Sequence, residues 1–447
     1  MKPEMELLAL QEQVREEKVG RKMYELIAKL YPICRSITGN GVRETLHILQ
    51  QYIPLEIHEV PTGTPVFDWT IPKEWNVREA YIKNHLGEKV IDFQNSNLHL
   101  VSYSVPIKKK MPLAELKEHL FTLPDHPAWI PYRTSYYQED WGFCLSHTQL
   151  SEFKDEEYEV CIDSSLKEGS LTYGEYYLPG VMQDEFLISC HICHPSLCND
   201  NLSGIALATY LAKSLTPLPL RYSYRFLFIP GTIGAITWLS LNEGRVYRIK
   251  HGLVVAGVGD SGKFTYKKSR QGNAEIDHAV IQILHESGEN YEIINFIPYG
   301  YDERQYCSPG FDLPVGCLMR TPHSRYPEYH TSADNLDFVK PEFLEGSFSK
   351  YLSVLNAIEN NRKYVNLNPK CEPQLGKRKL YDGMEGEKKK VIDPLAMLWV
   401  LNMSDAEHRL LDIAALAQLP FDKIQAAARL LLEKKLLKEI KIPNPKR

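Results

Sequence analysis

Residues 189–204 read SCHICHPSLCNDNLSG, and the nature of this stretch decides the fold. Cys190, His191, Cys193, His194 and Cys198 crowd together before Asn199-Asp200-Asn201 leads into Leu202-Ser203-Gly204. A structural zinc knot would take Cys190 and Cys193, a C-x-x-C pair, with Cys198 or a histidine. Zinc ribbons bring a second ligand pair from a separate, turn-rich segment. The chain has no second C-x-x-C, since Cys307 and Cys317 stand alone. Buried thiols without metal are another reading. A catalytic metal site, in which only some of these side chains touch the ion, is the third, and the surroundings favour it.

Upstream, EFLISC (185–190) is an apolar run of strand type, so the cluster starts at a strand end. Downstream, LSGIALATYLAKSL (202–215) has helical spacing with small residues on its packing face. The alternation continues. YRFLFIP, GLVVAGV, YEIINFIP and VGCLMRT read as strands, and TIGAITWLSLN, IDHAVIQILHES and PEFLEGSFSKYLSVLNAIEN as helices. This pattern predicts an α/β domain with a three-layer, mostly parallel sheet. Ligands of such sheets bind beyond the carboxyl ends of the strands, which is where the cluster begins.

Asp200 closes the polar loop, placed to point a carboxylate into that crevice, while Ser203 and Gly204 let the following helix pack close. Much later, YPEYHTSADNLDF (326–338) offers His330 after an aromatic-rich loop, with Thr331 and Asp334 able to orient it. Two imidazoles and a carboxylate, His191, His330 and Asp200, with a fourth position left for water, make a catalytic zinc set. A zinc-bound water of lowered pKa is the nucleophile such a set supplies.

The rest of the chain sets the frame. Its 447 residues suit two or three domains, and 43% apolar with 24% charged residues is ordinary for globular protein. A net charge of −5 gives no general reason to expect nucleic-acid or membrane partners. No apolar run approaches the ~20 residues a bilayer requires. The start, MKPEMELLALQEQVREEKVG, is acidic and helical in pattern and lacks the apolar core of a signal peptide. Nine cysteines without disulfide-scaffold spacing predict a reducing, cytoplasmic setting.

Helical spacing marks RKMYELIAKLY (21–31) and VRETLHILQQYI (42–53). From about residue 61 the texture turns to Pro, Trp and Tyr with short β-type runs such as HLVSYSV and FCLSHTQL. This predicts a small β-rich domain at 61–150, inserted between two parts of the α/β domain at 1–60 and 151–365. A polar, Pro-punctuated linker spans 366–390. Residues 391–447 then read as a winged helix-turn-helix, with Ser404 as N-cap and Glu407 three residues on in SDAEHRLLDIAALAQ. Residues 385–447 hold 12 Lys and Arg against 9 Asp and Glu. The recognition-helix segment offers Lys423, Gln425 and Arg429 but is otherwise Ala and Leu, poor for reading base edges. Packing or homo-oligomer formation suits this module better than DNA binding.

The HICHP…NDNLSG and YHTSADN strings resemble the zinc aminopeptidase fold shared by di-zinc bacterial aminopeptidases and glutamate carboxypeptidases. The resemblance implies metal ligands at His191, Asp200 and His330. LYPICRSITGNGVRETL, VPTGTPVFDWTIPKEWNV, DERQYCSPGFDLPVG and EPQLGKRKLY more closely resemble bacterial polysaccharide-biosynthesis-associated proteins with an aminopeptidase-like domain. Those carry a small inserted domain and a C-terminal winged helix.

The chain departs from the di-zinc pattern at three places. Gly231 and Thr232 stand where the family has a Glu-Glu pair, general base followed by metal ligand. Cys193 replaces an Asp, and Asp260 is only an approximate counterpart of a further metal-binding Asp. One zinc ion, rather than two, is therefore expected. Asp302 or Glu303 is expected to handle protons, with Arg304 beside them. His194, His323, Arg320 and Tyr326 are further candidates for substrate contact. The expected activity is zinc-dependent hydrolysis of an amide or peptide-like bond in a small-molecule or peptide-like substrate, set within cell-surface polysaccharide synthesis. The competing expectations are a catalytically degenerate zinc-binding scaffold and a DNA-binding regulator.

Overall fold

A computed structural model describes residues 18–380 and 393–440. The acidic start and the Lys388–Lys390 run lie outside the described residues.

Eight strands form the large sheet: β1 (Glu56–Pro61), β2 (Ser170–Leu178), β3 (Glu185–His191), β4 (Ser223–Ile229), β5 (Ile249–Val255), β6 (Phe264–Lys267), β7 (Tyr291–Ile294) and β8 (Val315–Met319). Their order is β1-β2-β4-β3-β5-β8-β6-β7. The centre, β4-β3-β5-β8, is parallel throughout, and the antiparallel joins fall on the flanks. Each buried centre strand is an apolar run because both its faces are covered. Along β3, Phe186, Ile188 and Cys190 face one core and Leu187 the other. The first core packs the helices Val19–Leu30, Ser203–Leu215, Glu275–Glu286 and Pro341–Asn360; the second packs Ile233–Asn242 and the inserted unit. These are the three layers the alternation predicts.

Two boundaries differ from expectation. The inserted unit holds a four-stranded antiparallel sheet in the order Lys89–Asp92, Glu74–Lys83, Glu157–Lys167, Ile107–Pro112. Glu157–Lys167 therefore belongs with the insertion, beyond the 61–150 stretch, because it is the strand on which both Glu74–Lys83 and Ile107–Pro112 pair. HLVSYSV and FCLSHTQL supply only short pairings around Leu100 and Phe143. At the other end, Lys363–Asn366 pairs with Asp405–Arg409 and Leu437–Glu439, so the winged unit begins before the proposed linker. The same pairing claims the first third of the expected Ser404-capped helix. Helix Leu410–Ala417 starts later, where the Asp412 carboxylate accepts the Arg409 backbone N–H at 2.8 Å.

The winged unit is docked through its own helices. In Phe421–Glu433, Phe421, Ile424, Ala427, Ala428 and Leu431 are buried, and Gln425 accepts from Asn356 Nδ2 at 3.1 Å. Among the described residues, no helix is long and apolar enough to cross a membrane.

Candidate metal centre

β3 ends on His191, and the chain turns at once into the loop carrying His194 and Asp200. Buried Arg35 fixes that turn. Its guanidinium donates to the carbonyls of His194, Pro195 and Leu30, each at 2.8 Å. Burial lowers its pKa to about 10. Ser196 adds a hydrogen bond to Tyr31 O at 2.6 Å. The first helix and its exit loop thus act on the site without touching the donor atoms.

Asp200 is the hub. Its Oδ1 lies 2.8 Å from His191 Nε2, and its Oδ2 lies 3.0 Å from His330 Nε2 and 3.4 Å from His194 Nδ1. Burial works to raise the pKa of this carboxyl, but His194 and His191 outweigh it and hold it well below the usual range. Burial in turn lowers the His330 pKa against the pull of Asp200. Among the described residues, His191, His194 and Asp200 offer ligand atoms all within 4.8 Å of one another. Zinc bonds of ~2.0–2.1 Å in a tetrahedron put ligand atoms about 3.3 Å apart. The spacings from Asp200 to the three imidazoles, 2.8–3.4 Å, are of that order, and His330 joins the group through the second Asp200 oxygen.

The cysteine-knot reading fails on geometry. Cys190 faces the core beneath Ser203–Leu215, whereas Cys193 lies on the opposite side, toward Gly231. Cys198 belongs to the first core. Burial raises all three thiols, with Cys193 pushed up to about 12.

Asp334 and Thr331 play other parts than orienting His330 directly. The Asp334 carboxylate accepts the backbone N–H groups of Asn199 at 2.6 Å and Asp200 at 3.0 Å, clamping the loop that carries the hub. Thr331 donates to Glu328 O at 2.8 Å in the turn before His330. The inserted unit holds His330 instead. Tyr132 N–H donates to His330 O at 2.8 Å, Ile130 exchanges bonds with Ser332, and the Tyr132 ring stands edge-on to both His330 and His194. Tyr329 stacks on His330 at 3.9 Å.

The two candidate proton carriers separate. Asp302 lines the same cavity as the imidazoles, a space of about 260 Å³. It is 1% exposed, both its oxygens lack hydrogen-bond partners among the described residues, and burial with Glu303 nearby raises its pKa to about 7 against the pull of Arg304. A Cβ on Gly231 would sit 3.4 and 3.5 Å from those oxygens, so Asp302 occupies the room beside the missing side chain. Glu303 turns away into a buried ion pair with Lys267 Nζ at 2.6 Å.

Arg304 lines the cavity, as does His194. His323 sits behind the wall, its ring against Tyr301 and Tyr299. Tyr326 packs on Phe338 and Tyr329. Arg320 is spent on structure. It donates to Ser347 Oγ, Gly262 O and Phe343 O and covers the Phe264 ring, which removes it as a substrate contact. Asp260 is likewise engaged, accepting from Thr321 Oγ1, Gly262 N–H and Asn199 Nδ2, so the counterpart of a second metal's ligand does not face the hub.

A mostly parallel sheet, a strand-end histidine and a late histidine meeting on one aspartate define an aminopeptidase-like α/β protein. Residues 24–361 match the family model for a Domain of unknown function (DUF4910), and the chain belongs to that family. Residues 362–439 match a winged helix-turn-helix model. A Clostridium acetobutylicum protein named as a polysaccharide biosynthesis protein with aminopeptidase-like domain is 55% identical over 419 residues, 94% of this chain and 96% of that one. A crystal structure of a protein from the same organism, described as a peptidase, superposes with a TM-score of 0.91 at 53% identity, covering 96% of this chain and all of that one. The zinc aminopeptidase of Bacillus subtilis shares the fold at a TM-score of 0.55 and 11% identity, covering 75% of this chain and 94% of its own.

Proposed function

We propose that this chain is a zinc-dependent hydrolase of an amide or peptide-like bond, acting in cell-surface polysaccharide synthesis. The observation that carries the reading is the meeting of His191, His194 and His330 on Asp200 beside an unpartnered, buried Asp302. The relative's name supports the biological setting.

His191, Asp200 and His330 would hold one zinc ion, which when bound acts as a Lewis acid that acidifies water and polarises a carbonyl. Asp302 takes a proton from water as the new C–O bond forms, and returns it to the nitrogen as the C–N bond breaks. Its carboxylate serves as base because no neighbour ties up its oxygens. Arg35 and Asp334 keep the hub loop in register. Tyr132 and Tyr329 hold His330 and exclude water from one side.

Purified full-length protein tests this: zinc near one equivalent, with turnover of amide substrates lost in Asp302→Asn at unchanged zinc content, is expected. Zinc without turnover across a broad amide panel would instead favour the degenerate scaffold. That reading draws on Gly231 and Thr232, which bring no carboxylate to the cavity. The winged unit argues for packing over DNA reading. Gln425 is tied to Asn356, Lys423 faces Asp393 at 3.5 Å and Arg429 is half-buried.

A further inference from the structure

The charges around the cavity say what its substrate must bring. Among the side chains lining it, Asp302 is the one carboxylate and Arg304 the one permanent cation. The half-buried Arg304 has no hydrogen-bond partner at its buried Nε, and no acid among the described residues closes an ion pair with it. The nearby acids are committed elsewhere. Asp200 is shared by the imidazoles, Glu303 is held by Lys267, Asp260 is hydrogen-bonded to Thr321, and Asp334 clamps backbone N–H groups. With Asp302 assigned to proton transfer, no carboxylate among the described residues lining the cavity remains to receive an ammonium. An arginine that feels Asp302 only through space and closes no ion pair in a partly desolvated wall can receive an anion, and its planar fork matches a carboxylate.

We propose that the amide substrate of this cavity carries a carboxylate beside its scissile bond, bound by Arg304, and no free α-ammonium at that place; this rests on the hydrolase reading above. The substrate class is then an N-acyl amino acid or N-acylated acidic unit rather than a free amino terminus. The apolar side of such a molecule meets rings from the inserted unit. Trp69 and Tyr137, 45% and 51% exposed, lie 5.4 Å apart at the rim. A flat acyl or sugar ring fits against such faces.

Titration calorimetry on the zinc-loaded full chain tests the proposal with three probes: N-benzoylglycine, its neutral amide N-benzoylglycinamide, and glycinamide. N-benzoylglycine is expected to bind about tenfold or more tighter than its amide, the scale of a charge-assisted contact. Arg304→Gln should erase that difference and Arg304→Lys keep part of it, with zinc content unchanged in both. Equal discrimination in Arg304→Gln, tighter binding of glycinamide, or no binding of N-benzoylglycine overturns the proposal. The two readings fail separately. Carboxylate-selective binding without turnover of any amide sinks the hydrolase and leaves this assignment, whereas cleavage confined to substrates with a free amine does the reverse.

Discussion

Asp302 and Gly231 divide one space between them: a Cβ on Gly231 would come within 3.4 Å of an Asp302 carboxylate oxygen and 3.0 Å of His191 Cβ. A carboxylate on a distant loop thereby reaches the spot that a longer side chain at 231 would fill. Asp302→Asn should lower kcat by about 10²–10⁴ while zinc content and KM hold, the range for a lost general base. Steady-state kinetics beside metal analysis checks it.

Glu303, next in sequence, should behave differently. Glu303→Gln leaves Lys267 buried and 2% exposed without its ion-pair partner, a loss on the order of 3–5 kcal/mol of stability. Urea denaturation should show that loss, and enzyme that remains folded should keep most of its kcat. A large fall in kcat at unchanged stability would exchange the roles of the two residues.

Arg35 is a test of the support beneath the donors. Arg35→Met removes bonds to three carbonyls and leaves them buried, costing about 3 kcal/mol. Since His194 and Pro195 supply two of those carbonyls, zinc affinity should fall with stability, by about 10- to 100-fold, as for lost outer partners of metal ligands. Competition with a fluorescent chelator measures this directly.

The Asp302 pKa of about 7 makes stability pH-dependent. In the unfolded chain an Asp titrates near ~3.9, so between about pH 4 and pH 7 the folded state holds the extra proton. Its stabilising contribution is complete below pH ~4 and disappears as pH rises toward 7. Zinc-free wild type should therefore lose urea stability between pH 5 and pH 7.5 more steeply than zinc-free Asp302→Asn. Parallel curves would contradict the buried, unpartnered setting of Asp302.

Much of this was legible in the sequence because the buried strands and the helices each declare themselves over a short window. EFLISC, GLVVAGV and VGCLMRT lie within or across β3, β5 and β8, and PEFLEGSFSKYLSVLNAIEN is the closing helix residue for residue. The hub was legible too, since His191 and Asp200 flank one loop and His330 follows a distinctive aromatic run. What escaped depends on contacts across long separations. Glu157–Lys167 reads as part of the following α/β stretch, yet its partners start some 50 to 80 residues earlier. Asp405–Arg409 looks like the first turn of a capped helix until Lys363 and Val365 pair with it. Arg35 and Tyr132 carry no local mark of the site; only folding brings them to His194 and His330. The choice between Asp302 and Glu303 turns on which way adjacent side chains point at a helix start, and composition is silent on that.

The most direct test of the metal centre is X-ray absorption at the zinc edge on full-length protein loaded with one equivalent of zinc. Only nitrogen and oxygen scatterers at roughly 2.0–2.2 Å, with imidazole outer-shell features lost in His330→Ala, are expected. Sulfur at about 2.3 Å, or a spectrum unchanged by His330→Ala, would contradict the centre.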